Sequence, residues 1–137
     1  MDMLKPEARS QLMAKIKSKN TKPELVVRSL LHRMGFRFRL HRRDLPGTPD
    51  IVLPKYKTVI MVNGCFWHGH ANCPKAKRPS SNTDFWYKKL DDNIARDREN
   101  VLKLEELGWR VMVIWECQVK DVFKLEARLA SIEGLYG

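Results

Sequence analysis

The sequence lacks the features that mark membrane-spanning and secreted proteins. No apolar run approaches the roughly 18 residues that a membrane helix needs. The first ten residues, MDMLKPEARS, have no apolar core and no small-residue cleavage site. Cysteine is scarce, with three residues in a chain of 137, and an odd number argues against a disulfide framework. These absences favour a soluble protein of the cell interior.

Acidic residues are also in short supply. The chain has 16 Asp and Glu against 26 Lys and Arg, which gives a net charge of +10. The basic residues concentrate in the stretches KIKSKNTK, HRMGFRFRLHRR and PKAKRP. Such an excess favours a polyanionic partner, with a merely solvated basic surface as the alternative. No predicted helix combines a basic face with a wide apolar one, so a membrane partner is not expected.

The spacing of apolar residues predicts eight elements in the order ααβββαβα. They are helices over 6–17, 21–34, 83–107 and 121–134, and strands over 36–42, 50–54, 57–64 and 109–115. No repeat or linker interrupts them. Residues 1–137 are therefore expected to form a single α/β domain, in which helices flank a mixed central sheet of about four strands.

The same spacing predicts which side chains are buried. In the second helix Thr21 and Glu24 form a capping box, and Gly35 ends the helix. The strand over 57–64 is apolar on both faces, which indicates a central position in the sheet. The residues expected in the core are Leu25, Val26, Leu30, Leu31, Leu90, Ile94, Val101, Leu104, Trp109 and Trp115.

Cysteine and histidine cluster at the spacing of a metal site. Cys65, His70 and Cys73 lie in one loop, and Cys117 follows a distant strand. Three thiolates and one imidazole form a common tetrahedral zinc site, so we expect a closed structural Zn²⁺ ion. Three free buried thiols are the alternative. On spacing alone His68 and His70 could exchange places.

Four further residues suit magnesium-dependent hydrolysis of a phosphodiester. Asp50 begins an apolar strand, where nucleases of the restriction-enzyme type bind Mg²⁺, but the next strand offers no acid-x-Lys pair at 61–63. Glu24, Asp97 and His68 can supply the missing acids and a neutral base. Each has a simpler interpretation: Glu24 as a helix cap, Asp97 in a surface salt bridge, and His68 as a surface histidine.

Four stretches together resemble one family, the very short patch repair (Vsr) DNA mismatch endonucleases. They are LPGTPDIV, NGCFWHGHANC, TDFWYKKL and NIARDRENVLKLEELGWRVMVIWEC, and the likeness runs from about Arg9 to Leu129. The resemblance implies a restriction-endonuclease-like fold and Mg²⁺-dependent nicking of duplex DNA, 5′ to the mismatched T of a T·G pair. We expect a monomer in the cytoplasm, nucleoid-associated when bound to DNA, with mismatch-repair proteins as further partners.

The resemblance also assigns roles to residues. It implies Asp50 and the backbone carbonyl of Val62 as Mg²⁺ ligands, His68 as the catalytic histidine, and Glu24 and Asp97 as the other catalytic acids. It implies Zn²⁺ ligands at Cys65, His70, Cys73 and Cys117. The side chains that it implies beside the mismatch are Phe66, Trp67, Trp86 and, from the other groove, Met13.

The sequence departs from the family at three places. Val62 stands where family members have threonine, Asn63 replaces a histidine, and one extra residue separates His70 from Cys73. The basic stretches are expected to contact phosphates through Lys15, Lys17, Lys19, Lys75, Lys77 and Arg78. Two other functions remain open: a homing-type nuclease of the same fold, and a zinc-stabilised DNA-binding module without catalysis.

Overall fold

The computed structural model describes residues 20–136. The predicted helix over 6–17 lies outside them, as do Met13, Lys15, Lys17 and Lys19. The described elements are helix α1 (Lys22–Arg33), strands β1 (Arg39–Leu40), β2 (Ile51–Leu53) and β3 (Thr58–Asn63), helix α2 (Thr83–Glu106), strand β4 (Arg110–Trp115) and helix α3 (Val122–Tyr136). Within this range no helix is both long and apolar enough to cross a membrane.

The four strands form one mixed sheet in the order β1-β2-β3-β4. The first two pairs are antiparallel, whereas β3 and β4 are parallel and are connected through α2. Parallel strands require such a crossover because the end of the first strand and the start of the second lie at opposite edges of the sheet. The predicted mixed sheet of about four strands flanked by helices, with 57–64 in its interior, is confirmed.

Alternating side chains of the strands pack on two separate cores. On one face Ile51, Leu53 and Ile60 contact buried residues of α1 and α3. On the other face Val52 and Val59 pack with Leu104 of α2 and with Trp109, the residue before β4. Because successive side chains of a strand point to opposite faces, the sheet packs on helices on both sides and forms the middle of three layers.

Helix α1 begins as predicted and buries most of the expected face, since Leu30 and Leu31 lie in the core and Val26 packs against it. The Thr21 hydroxyl accepts a hydrogen bond from the Glu24 N–H at 3.4 Å, and Gly35 after the helix has a φ of +88°. Leu25, expected in the core, is 46% exposed, whereas Val27 and the Glu24 side chain are buried. In the first turn of the helix the inward-facing position is therefore taken by the Glu24 carboxylate and not by Leu25.

Four other residues expected in the core are only half-buried, and one of them, Val26, packs against the core. Ile94 and Val101 of α2 and Trp115 of β4 line a cleft next to the sheet. Strand β1 is also shorter than predicted, with two residues instead of seven. It pairs with Ile51 and Val52, the first two residues of the three-residue strand β2, and after β2 the chain turns through Pro54–Tyr56.

Candidate active site

The cleft lies where β3 and β4 end. Parallel strands end at the same edge of a sheet, and Asp50 reaches this edge because it precedes the antiparallel strand β2. The cleft has a volume of about 1180 Å³, and α2 forms its other wall. Its lining includes the predicted residues Asp50, Val62, His68 and Asp97. Chain segments far apart in sequence thus bring these groups together.

Asp50 is held in place by the neighbouring strand. The Val62 N–H donates a hydrogen bond to Asp50 Oδ2 at 2.8 Å. Burial raises the pKa of Asp50 to about 6, with a smaller contribution from the nearby Glu24 carboxylate, although the Val62 N–H opposes the shift. A half-buried carboxylate beside a second acid is a group that a divalent cation would stabilise.

Glu24 does more than cap its helix. Its side chain is 1% exposed, and its carboxylate accepts hydrogen bonds from the Asn20 N–H at 3.2 Å and from Arg28 at 3.4 Å. His41 Nε2 lies 3.2 and 3.0 Å from its two oxygens. A buried carboxylate needs several such partners to offset the loss of water.

His41 is a site residue that sequence reasoning missed. Donor atoms of Glu24, His41 and Asp50 all lie within 4.8 Å of one another, so these three residues could hold a metal ion. The pairing of β1 with β2 is what locates this histidine. In that pairing Arg39 lies opposite Val52. Continuing that register by two residues places His41 opposite Asp50, and the His41 N–H does donate to the Asp50 carbonyl at 3.1 Å.

His68 and Asp97 form a pair across the cleft. His68 Nδ1 lies 2.5 Å from Asp97 Oδ2. Asp97 therefore contacts the loop after β3, and the simpler interpretation of Asp97 as a member of a salt bridge on the helix surface is not needed. The loop lies close to α2 because Gly69, with a φ of +63°, has no side chain: a Cβ there would lie 2.5 Å from Ile94 Cδ1. Asn93 adds a hydrogen bond to the Trp67 carbonyl at 3.1 Å.

The remaining histidine of the loop joins the three cysteines. Donor atoms of Cys65, His70, Cys73 and Cys117 lie within 4.8 Å of one another and could hold a metal ion. Cys117 Sγ is 3.5 Å from His70 Nδ1, and the His70 ring stacks on Trp115 with centroids 4.2 Å apart. Three sulfurs and one imidazole are the donor set of a tetrahedral site for a soft or borderline cation. We refer to these four residues as the thiol cluster.

The thiol cluster is anchored to both parallel strands. Cys65 follows β3 and is fully buried, and burial raises the pKa of its thiol to about 12. Glu116, which follows β4, accepts a hydrogen bond from the Cys65 N–H at 3.3 Å. Cys117 comes next in the chain, in the turn Glu116–Lys120. The cluster therefore fixes the loop that also carries His68.

The aromatic residues of the loop form a cluster with α2. The backbone turns after Cys65, with a hydrogen bond from the His70 N–H to the Cys65 carbonyl at 3.0 Å. The turn lets Phe66 and Trp67 contact each other at 5.2 Å between centroids, instead of pointing to opposite faces as they would in a strand. Trp86 lies 5.6 and 6.0 Å from these two rings. All three side chains are half-buried at the surface.

The basic residues expected at phosphates differ in their surroundings. Lys75 and Lys77 are exposed on the loop before α2. Arg78 is engaged within the protein, since it lies 2.5 Å from Asp91 and its guanidinium lies 4.5 Å from the centre of the Tyr87 ring. Lys89 extends the positive surface over Trp67, at 5.7 Å from the ring centre.

Comparisons with known proteins identify relatives of this chain. A family model described as DNA mismatch endonuclease Vsr matches residues 1–75. The type II nicking enzyme V.XorIIP of Xanthomonas oryzae pv. oryzae is 53% identical over 131 residues, which cover 96% of each chain. The DNA mismatch endonuclease Vsr of Escherichia coli (strain K12) is 43% identical over 117 residues, covering 85% of this chain and 74% of the relative.

Two further comparisons extend the likeness. The type II nicking enzyme V.NmeAIP of Neisseria meningitidis is 49% identical over 120 residues, covering 88% of this chain and 85% of the relative. The catalytic domain of the homing endonuclease I-Bth0305I superposes with a TM-score of 0.59 at 20% identity, over 85% of this chain and 98% of that domain. The fold is thus shared with a homing nuclease, and the chain itself belongs to the Vsr family of DNA mismatch endonucleases.

Proposed function

We propose that this protein is a Mg²⁺-dependent endonuclease that nicks one strand of duplex DNA, 5′ to the mismatched T of a T·G pair, in very short patch mismatch repair. The observation that carries the proposal is the placement of Asp50 and the His68–Asp97 pair in one cleft. Membership of an endonuclease family and the net charge of +10 support it. We further propose that residues 1–137 act as one domain and as a monomer.

His68 would act as the general base. Because Asp97 occupies Nδ1, the proton of the neutral ring is held on that nitrogen, and Nε2 is left to accept a proton from the attacking water. The same carboxylate stabilises the imidazolium that results. Asp50 and the Val62 carbonyl would hold Mg²⁺, whose contribution is to polarise the phosphate and stabilise the leaving oxygen.

The aromatic cluster would select the mismatch. Separating stacked base pairs costs a few kcal/mol, and a mismatched pair lowers that cost. Phe66, Trp67 and Trp86 present contiguous ring surface beside the loop that carries His68. Insertion of these rings next to a mismatch would therefore place the reacting phosphate near His68, the proposed general base. Lys75, Lys77 and the predicted basic residues before Asn20 would hold the flanking phosphates.

A nicking assay tests the proposal. End-labelled duplexes with randomised flanking bases would carry a T·G pair, another mismatch or no mismatch, and would be incubated with the protein and Mg²⁺. We expect one nick, in the strand with the mismatched T and on its 5′ side. Efficient cutting of matched duplexes would instead indicate a site-specific nuclease, and binding without cutting would indicate a non-catalytic module. The Asp50→Asn protein, purified identically, controls for contaminating nuclease.

The His68–Asp97 pair gives a second prediction. Asp97→Asn should lower the single-turnover nicking rate by about 10²- to 10⁴-fold, because the histidine loses the partner that fixes its tautomer and stabilises its charged form. Binding of the T·G duplex should change little. Asp92→Asn is a matched control on the same helix, since Asp92 pairs only with Lys88 at the surface among the contacts described. Equal rates for the two variants would contradict the assigned role of Asp97.

We also propose that the thiol cluster holds a structural Zn²⁺ ion. Its donors complete a Cys₃His set, which leaves no open position for a substrate. The ion would therefore position the loop that carries Phe66, Trp67 and His68, without taking part in the hydrolysis itself.

A further inference from the structure

His41 has an unusual backbone conformation and lies between a buried carboxylate and the cleft. Its backbone has a φ of +46°, a left-handed conformation that is uncommon outside glycine and in which histidine is among the more frequent exceptions. Its N–H is tied to the carbonyl of Asp50. Its side chain is 20% exposed and lines the cleft beside Asp50, whereas Glu24 lies behind it and does not line the cleft. The ring therefore stands between the buried acid and the space that a substrate would enter.

We propose that His41 supplies an imidazole nitrogen to the divalent-cation site, together with carboxylate oxygens of Glu24 and Asp50. This inference rests on the proposed function, in which Asp50 is already a ligand. The three residues bring two carboxylates and one nitrogen within 4.8 Å of one another. His41 Nε2 lies 3.0 Å from Glu24 Oε2, which is about the separation of neighbouring ligands in an octahedron with bonds of about 2.1 Å.

The nitrogen changes which cations the site prefers. Sites built only from oxygen suit Mg²⁺, Ca²⁺ and Mn²⁺, whereas an imidazole favours transition metals and raises affinity along the series from Mn²⁺ to Co²⁺. A mixed nitrogen and oxygen site would accept Mg²⁺ but would bind Mn²⁺ and Co²⁺ more tightly. Arg28 limits the negative charge of the site, because it already pairs with Glu24 at 3.4 Å.

The inference can be tested on the DNA-free protein with its thiol cluster loaded with zinc. Mn²⁺ binding would be followed by electron paramagnetic resonance, and a nitrogen ligand by the pulsed-resonance coupling of ¹⁴N to the bound Mn²⁺. We expect one bound Mn²⁺ with nitrogen coupling in the wild type. His41→Gln should abolish the coupling and weaken Mn²⁺ binding by about 10-fold or more, because glutamine keeps a donor for Glu24 but has no imidazole.

Two of the other three histidines of the chain provide the controls. His32→Gln removes an exposed histidine of α1 that does not line the cleft, and it should keep both the coupling and the affinity. His68→Gln tests a histidine that lines the cleft and lies outside the thiol cluster, and it should also keep the coupling. Coupling that survives in His41→Gln, or that disappears in His68→Gln, overturns the inference. Melting curves must show that His41→Gln is folded, and His41→Asn provides a second variant if it is not.

The outcomes separate this inference from the proposed function. Nitrogen coupling that depends on His41 in a protein that nicks no duplex would support the site and contradict the nicking function. Nicking at T·G with an Mn²⁺ ion that shows no nitrogen coupling would contradict the role of His41 alone. A wild-type protein that binds no Mn²⁺ would overturn the inference.

Discussion

Replacing Asp50 by asparagine should abolish nicking and at the same time make the metal-free protein more stable at pH 8. The loss of activity follows from the loss of the charged ligand in the proposed Mg²⁺ site. A metal that stabilises the transition state contributes several kcal/mol, so we expect the nicking rate to fall by about 10³-fold or more. Single-turnover cleavage of the T·G duplex measures this fall.

The gain in stability follows from the raised pKa of Asp50, which is about 6 instead of 3.8 mainly because of burial. The folded state binds this proton more tightly than the unfolded state does. The free energy of unfolding therefore falls as pH rises from about 4 through 6, and above that range the ionised carboxylate costs about 3 kcal/mol. Asparagine has no charge to bury, and its amide oxygen can still accept from the Val62 N–H.

Thermal melting without Mg²⁺ and without chelator checks the prediction. The Asp50→Asn protein should melt on the order of 10 °C higher than the wild type at pH 8, and the difference should shrink at pH 4. Added Mg²⁺ should stabilise only the wild type. Asp44→Asn is the control, because Asp44 is exposed and its hydrogen bond from Arg42 lowers its pKa, so it should show no such gain. An Asp50→Asn protein that is less stable at pH 8, or that nicks normally, would contradict the assignment.

The sequence predicted the long elements well because their signals are local. Strand β3 is a run of β-branched and apolar residues, and α2 keeps its helical period over 24 residues. The errors occur next to the cleft. Leu25 is exposed where Glu24 is buried, and Ile94 and Trp115 are half-exposed because they line a space instead of a core. Apolar periodicity cannot distinguish a residue that lines a cleft from one that lies in a core, because both positions hold the same apolar residue types.

The sequence predicted most residues of the candidate site, but it did not predict which residue each histidine contacts. Spacing alone allowed His68 and His70 to exchange, because both lie in one loop. The partner of each comes from a distant segment, Asp97 on α2 for one and Cys117 after β4 for the other. His41 was missed because its neighbours are basic residues that suggest a solvated strand face. Only the register of β1 against β2 shows that it lies opposite Asp50.

Replacing Cys117 by serine should remove the bound metal and destabilise the protein by about 4 kcal/mol or more. A structural zinc ion contributes on the order of 10 kcal/mol in peptides that have no other core. This domain has cores on both faces of its sheet, so it should remain folded at low temperature with a smaller loss. Zinc content per chain should fall from about one to near zero, and melting should occur more than 10 °C lower.

Two comparisons separate the loss of a ligand from a general packing defect. A strong chelator should lower the melting temperature of the wild type to that of Cys117→Ser, and it should have little effect on the variant. His70→Gln should behave like Cys117→Ser, whereas His68→Gln, two residues away, should keep its zinc. Zinc retained in Cys117→Ser, or lost from His68→Gln, would show that the thiol cluster is not the binding site.

The same variant should also lose nicking, for a reason unlike that of Asp50→Asn. Cys65 begins the loop that carries Phe66 and His68, and the metal would fix that loop between the ends of β3 and β4. Without the ion, His68 is no longer held against Asp97, so the nicking rate falls although every group of the hydrolytic site is present. Mn²⁺ binding at Asp50 should therefore survive in Cys117→Ser at low temperature, and its loss there would mean that the two metal sites fold as one unit.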